Sequence, residues 1–166
     1  MRLRVLREGG FAPEVIVSGV DEDDVTGPTQ EVALVLGADT VLDVDGETRG
    51  KPASVDQARA WWASVAGRSA VLHSGLCVID TALGKQASGV ATTVVHYGTP
   101  TDGEIEAYLA TDEPLAVAGA FTIDGYAAPF VDRIEGDHGN VLGLSLPLLR
   151  RLLQDLDIGI TDLWAR

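Results

Sequence analysis

Three helix-start signals set between long β-branched runs limit this chain more than any other feature. Ser54 with Gln57 and Thr101 with Glu104 have the spacing of a capping box, and Ser145 stands before Leu146-Pro147, where proline suits a first helical turn. Apolar residues follow each signal at helical spacing: Val55, Ala58, Trp62 and Val65; then Ile105, Tyr108 and Leu109; then Leu146, Leu149, Leu152 and Leu153. Gly67 closes the first of these helices. Residues 70–80 and 89–97 read as long strands joined by a Leu83-Gly84-Lys85 turn, and residues 15–18 as a short strand ended by Gly19. Residues 117–134, rich in Gly, Ala and β-branched side chains, read as further strands split by an Asp124-Gly125 turn. Helices interspersed among strands predict an α/β fold, a mixed twisted β-sheet flanked by helices. No repeat, low-complexity tract or linker divides the 166 residues, so one domain over residues 1–166 is expected.

Composition narrows the function. A hydrophobic content of 46% can outweigh the entropy of ordering, so a folded chain is expected. Twelve Lys and Arg against 25 Asp and Glu leave a formal net charge of −13, which repels phosphate backbones and anionic lipid. A non-specific nucleic-acid or membrane partner is therefore not expected, whereas a small phosphate ligand in a local cationic pocket is compatible. No apolar stretch approaches the ~20 residues of a membrane span, and Met1-Arg2-Leu3-Arg4 lacks a signal-peptide core. The single Cys77 cannot form an internal disulfide, which agrees with a reducing, cytoplasmic location. Cys77 lies in an apolar strand and reads as inert.

The richest stretch is residues 33–52, ALVLGADTVLDVDGETRGKP. A continuous apolar run over residues 33–36 reads as a strand buried on both faces, stopping at Gly37-Ala38-Asp39-Thr40 and resuming to an Asp45-Gly46 hairpin turn. That places Asp39 at a strand's carboxyl end, where ligand crevices form in open sheets. A carboxylate there can hold a divalent cation or take a proton from water. Lys51, between Gly50 and Pro52, is a point cation on a stiff turn that could neutralise phosphate oxygens. A plainer reading stands beside it: Asp39 caps a turn and Lys51 is solvated. Asp43-Val44-Asp45-Gly46 is similar to the nucleophile motif of dehalogenase-type phosphatases, with Asp43 as nucleophile, but Glu47 intervenes before Thr48 and a hairpin explains the residues better. The run Asp21-Glu22-Asp23-Asp24 reads as a solvated loop, or as a source of one carboxylate to join Asp39 around Mg²⁺. His73, His96 and His138 are too dispersed for a zinc site, and neither a nucleophilic triad nor a P-loop is present.

Several of these stretches coincide, in order, with one family. LGADTVLDVDGETRGKP resembles the G-A-D-T-V, D-G and G-K-P signature of the Maf family of nucleoside triphosphate pyrophosphatases. Val20-Asp21-Glu22 resembles its acidic D-E segment, and His73-Ser74-Gly75 its H/Y-T-G. EIEAYLATDEPLAVAGAFTIDG is similar to its E-I-x-x-Y, G-E-P and A-G-A-[FY]-x-I-x-G run, and NVLGLSL to N-V-V-G-L-P-L.

The resemblance implies hydrolysis of a nucleoside triphosphate, or a modified one, to the monophosphate and pyrophosphate. It also implies two lobes around a nucleotide-binding cleft, a divalent metal (Mg²⁺ or Mn²⁺) and a homodimer. On it, Asp39 is the proton acceptor, Lys51 contacts phosphate, and Glu22 assists at the metal or substrate beside Asp39. Arg2 matches the last arginine of an S-x-S-P-x-R phosphate loop, Thr40 adjoins the phosphates, and Asp124 stands where the family has a glutamine linked to base choice. Only residues 25–31 occupy the place of a helix carrying an A-x-x-K-A lysine, which has no counterpart here. A chain short of those cations should bind triphosphate poorly, so a non-catalytic nucleotide-binding or division-regulating protein is the rival expectation.

Overall fold

A computed structural model of the chain describes residues 1–14, 34–111 and 113–165. The expected strand at residues 15–18, the acidic run with Glu22 and residues 25–31 lie outside the described residues.

The architecture is the expected α/β one: among the described residues, a five-stranded sheet with helices against it. The strands are β1 (Leu34–Val44), β2 (Glu47–Arg49), β3 (Ser69–Asp80), β4 (Lys85–Tyr97) and β5 (Val131–Glu135), ordered β2-β1-β3-β4-β5 with every described pairing antiparallel. The helices are α1 (Arg2–Glu8), α2 (Val55–Val65), α3 (Asp102–Leu109), α4 (Glu113–Ala116), α5 (His138–Val141) and α6 (Leu146–Asp155). All three helix-start signals cap as their spacing requires. Ser54, Thr101 and Ser145 accept the backbone N–H of Gln57, Glu104 and Leu148, and Glu104 completes a reciprocal box. Gln57 instead reaches back one residue further, to the N–H of Ala53 at 2.7 Å.

Three expectations are corrected. The Gly37-Ala38-Asp39-Thr40 stretch does not end a strand. The β3 ladder runs unbroken from Leu34↔Asp80 to Asp43↔Val71, so Asp39 sits in mid-strand, paired with Gly75. Nor is the run before it buried on both faces, since Val35 is 48% exposed. Residues 117–134 are not a series of strands either. They form 3₁₀ turns at Ala118–Ala120 and Ala128–Phe130, and the paired strand there is Val131–Glu135. Positive φ at Gly119 (67°) and Ala120 (60°) turns the chain away from the extended region there.

Even-numbered side chains of β1 and β3 and odd-numbered ones of β4 share the covered face, and they divide into two apolar clusters. Leu42, Leu72 and Val95 pack with Trp62, Tyr108 and Phe121 in one; Leu76, Val78 and Ala91 pack with Leu148, Leu149, Leu152 and Leu153 of α6 in the other. A polar line separates them. Thr40 on β1, Ser74 on β3 and Thr93 on β4 cross the sheet beneath the buried Asn140 of α5, whose amide donates to Thr93 Oγ1 at 3.0 Å. No helix among the described residues is long and apolar enough to cross a membrane.

Candidate active site

At the β1 end of that polar line lies a cavity of about 690 Å³. One wall is the start of α1, with Met1, Arg2 and Leu3; another is β1, with Asp39, Thr40 and Val41. Gly50 and Lys51, the segment from Ala116 through Thr122, and the turn Val141-Leu142-Gly143 close it. Four residues expected to act together, Arg2, Asp39, Thr40 and Lys51, therefore line one cavity. The space is within the range of small-molecule sites, and charged and apolar side chains share its lining, the latter Phe121, Val117, Leu72 and Val141.

Each polar group is held by identifiable local causes. The Arg2 guanidinium donates from Nε to the Gly143 carbonyl at 3.0 Å and from Nη2 to Thr40 Oγ1 at 3.3 Å, and Nη2 lies 3.8 Å from Asp39 Oδ1. Gly143 turns at φ 91°, a conformation that opposes any side chain and aims its carbonyl at Arg2. The Asp39 side chain is 93% exposed, with Oδ1 accepting the Thr40 N–H at 2.8 Å. An ion pair so open to water is weak and gives way readily to a stronger ligand.

Lys51 follows a well-anchored arm. Arg49 is buried, donating to Ser64 Oγ at 2.8 Å and Glu47 at 2.9 Å with its guanidinium stacked over Trp61. The Gly50 carbonyl accepts the Gly119 N–H at 2.9 Å, and Pro52 is buried. Gly119 must be glycine: a Cβ there would lie 2.7 Å from Leu42 Cδ2. The facing segment is also held at a second atom. The buried Ala120 carbonyl accepts both Trp62 Nε1–H at 2.9 Å and the Tyr108 hydroxyl at 3.1 Å. In the sequence Trp62 and Tyr108 look like core residues alone and nothing marks Phe121 or Thr122, because the folding-back of residues 117–122 depends on those distant donors.

A match to a sequence model of the family described as Maf-like protein extends over residues 1–156. The chain belongs to that family. Among its relatives are proteins named nucleoside triphosphate pyrophosphatase from Streptomyces coelicolor (56% identical, covering 99% of this chain and 90% of the relative), Salinispora tropica (48%, 99% and 84%) and Mycolicibacterium smegmatis (43%, 99% and 92%). The Streptomyces coelicolor alignment runs over 185 positions against a chain of 166, so at least 19 of those positions have no residue in this Maf-like chain.

Of the other expected site residues of the Maf-like chain, one cannot be placed and one is not on the cavity wall. Glu22 lies outside the described residues. Asp124 stands behind the wall: its carboxylate takes Arg4 Nη2 at 2.5 Å and the hydroxyl of Thr122, and only Thr122 reaches the cavity. Burial pushes the Asp124 carboxyl up, but Thr122 and Arg4 outweigh it and hold it below the ordinary carboxylate value. Asp43 and Asp45 are engaged elsewhere, Asp43 accepting the Gly46 N–H at 2.8 Å inside the hairpin and Asp45 pairing with Arg68 at 2.7 Å. No group of three or more His, Cys, Asp or Glu side chains among the described residues is placed to hold a metal ion. Asp39 is the single carboxylate on the cavity wall among them. Mg²⁺ commonly takes only one or two protein carboxylates and completes its shell with water and substrate phosphates, so that donor set fits a substrate-borne cation.

Proposed function

We propose that this Maf-like chain hydrolyses nucleoside triphosphates, or modified nucleotides, to the monophosphate and pyrophosphate in the cavity beside β1. The observation that carries the reading is the convergence of Arg2, Asp39, Thr40 and Lys51 on one cavity that apolar side chains also line, in a family whose relatives bear that name. The apolar part of the lining suits a base and sugar, and the charged side chains suit a polyphosphate. Water attacks the phosphorus next to the ribose, and pyrophosphate departs. Because the substrate is already anionic, catalysis is mostly positioning and charge neutralisation. Asp39, exposed to the cavity and not buried in a fixed ion pair, takes the proton from the attacking water. Arg2 leaves Asp39 for a phosphate oxygen while keeping its Gly143 anchor, and Lys51 offsets charge on the departing pyrophosphate. A divalent cation, Mg²⁺ or Mn²⁺, held by Asp39 with Glu22 in support, would supply further charge neutralisation on the phosphates.

A homodimer in the cytoplasm, and closure of two lobes over the nucleotide, belong to the same proposal. A second reading, nucleotide binding without turnover, is favoured by the 19 or more alignment positions that this chain lacks. Incubation with a triphosphate panel and Mg²⁺ or Mn²⁺, separating pyrophosphate from orthophosphate, tests both. Pyrophosphate supports hydrolysis at the α-phosphorus, binding without product supports the second reading, and orthophosphate points to a phosphatase instead. Asp39→Asn should abolish pyrophosphate release and leave the thermal midpoint nearly unchanged. Undiminished release by that variant removes Asp39 from the chemistry.

A further inference from the structure

The polar line across the sheet ends at Arg2, and its middle member has no contact with the cavity. Ser74 is fully buried and is absent from the lining, yet its Oγ lies 2.9 Å from Thr40 Oγ1, the hydroxyl that accepts from Arg2. On its other side Ser74 Oγ reaches the Asn140 carbonyl at 3.4 Å. A guanidinium can only donate and a carbonyl can only accept. Both hydroxyl protons therefore find an acceptor when the chain runs inward: Arg2 to Thr40, Thr40 to Ser74, Ser74 to Asn140. Run the other way, one hydroxyl proton loses its partner within the chain.

We propose that Ser74 is a positioning residue, fixing the Thr40 rotamer from inside the sheet so that Thr40 and the Gly143 carbonyl together aim Arg2 at the phosphates. The inference rests on the pyrophosphatase reading for what Arg2 binds, but the tether itself does not. Without Ser74, Thr40 is free to turn its proton toward the open Asp39 carboxylate, and Arg2 keeps one fixed contact in place of two. Ser74→Ala takes the last partner from neither of the groups that Ser74 contacts. The Asn140 carbonyl still accepts the Gly143 N–H at 2.9 Å, and Thr40 reaches cavity water. The fold should hold, and the loss should appear at Arg2.

The experiment compares wild type, Ser74→Ala, Thr40→Val and the double variant in two measurements. Calorimetric titration with inorganic tripolyphosphate and Mg²⁺ should show affinity falling about threefold to tenfold for each single variant, the worth of one hydrogen bond. The double variant should bind no worse than Thr40→Val, because Ser74 acts only through Thr40. In the ligand-free protein, the Arg2 Nε–H resonance, held on the Gly143 carbonyl, should broaden or exchange faster in both single variants. Additive losses in the double variant, or an unchanged Arg2 resonance in Ser74→Ala, overturn the tether. If wild type releases no pyrophosphate while the resonance responds as described, the functional reading fails and the tether stands. If pyrophosphate is released and the resonance ignores Ser74, the reverse holds.

Discussion

The Ala120 carbonyl offers a direct test of what sets the far wall of the cavity. It is fully buried and accepts two side-chain donors, Trp62 Nε1–H and the Tyr108 hydroxyl. Tyr108→Phe removes one bond and leaves the carbonyl satisfied by the other, so the loss should be about 1 kcal/mol. Trp62→Phe also removes one bond but adds a void among Tyr97, Tyr108 and Phe130, whose rings meet Trp62 edge-on at 5.6–5.9 Å. Its loss should be about 2–3 kcal/mol. The double variant strands a buried acceptor, which carries a desolvation penalty of about 1–3 kcal/mol beyond the two separate losses. Urea unfolding at constant m-value reads all four proteins, and the cycle should show a coupling of about 1 kcal/mol or more. The same turn segment carries Val117, Ala118, Phe121 and Thr122 on the cavity wall, so KM for the triphosphate should rise in the double variant. Additivity within about 0.5 kcal/mol would mean that the two donors do not share responsibility for one carbonyl, and the account of the wall would be wrong.

Three further outcomes follow from the same geometry. Lys51→Met should raise KM about tenfold with little change in unfolding midpoint, since the exposed ammonium touches no core group; unaltered kinetics would release Lys51 from phosphate binding. Asp124, held below its ordinary value by Thr122 and Arg4, contributes stability that is fully present above the unfolded-state pKa and lost as pH falls through the lowered folded value. Thermal midpoints should thus drop more steeply below about pH 4 in wild type than in Asp124→Asn; parallel acid limbs refute the Arg4 pairing. Asp43→Asn should keep pyrophosphate release near wild type, because Asp43 serves the hairpin; its abolition would revive the dehalogenase-type reading.

What the sequence makes legible is whatever a few neighbouring residues decide. Ser54, Thr101 and Ser145 cap their helices because a hydroxyl three residues from an N–H is a local fact. The Asp45-Gly46 turn is local too, and Asp43 secures it. Strand continuity is not local. Gly37 looks like punctuation, but a ladder to Cys77 on β3 carries the strand through it. Residues 117–122 have strand-like composition, and only Trp62 and Tyr108, at separations of 58 and 12 residues, reveal why they fold back. Short helices escape for a related reason. α5 has four residues, and its Asp137 cap makes sense only over a sheet that Asn140 then seals. Arg2, Asp39, Thr40 and Lys51 could be nominated from motif and chemistry, whereas Ser74 and Gly143 enter only once β3 and the turn after α5 are placed against β1.

Charge poses the last question, because the chain as a whole repels the substrate that its cavity is proposed to hold. The formal net charge is −13, yet Arg2 and Lys51 face the cavity. These two influences act over different distances. The whole-chain field slows approach from beyond a Debye length of about 10 Å at 0.1 M salt, whereas the two cations act at contact, where salt screens them less. Raising monovalent salt from about 10 to 100 mM should therefore relieve the long-range repulsion first. kcat/KM for the Mg²⁺-nucleotide should rise modestly or stay level over that range, and kcat should not change. A steep monotonic fall would mean that a local positive field already dominates capture, which two partly exposed side chains on so acidic a chain do not provide.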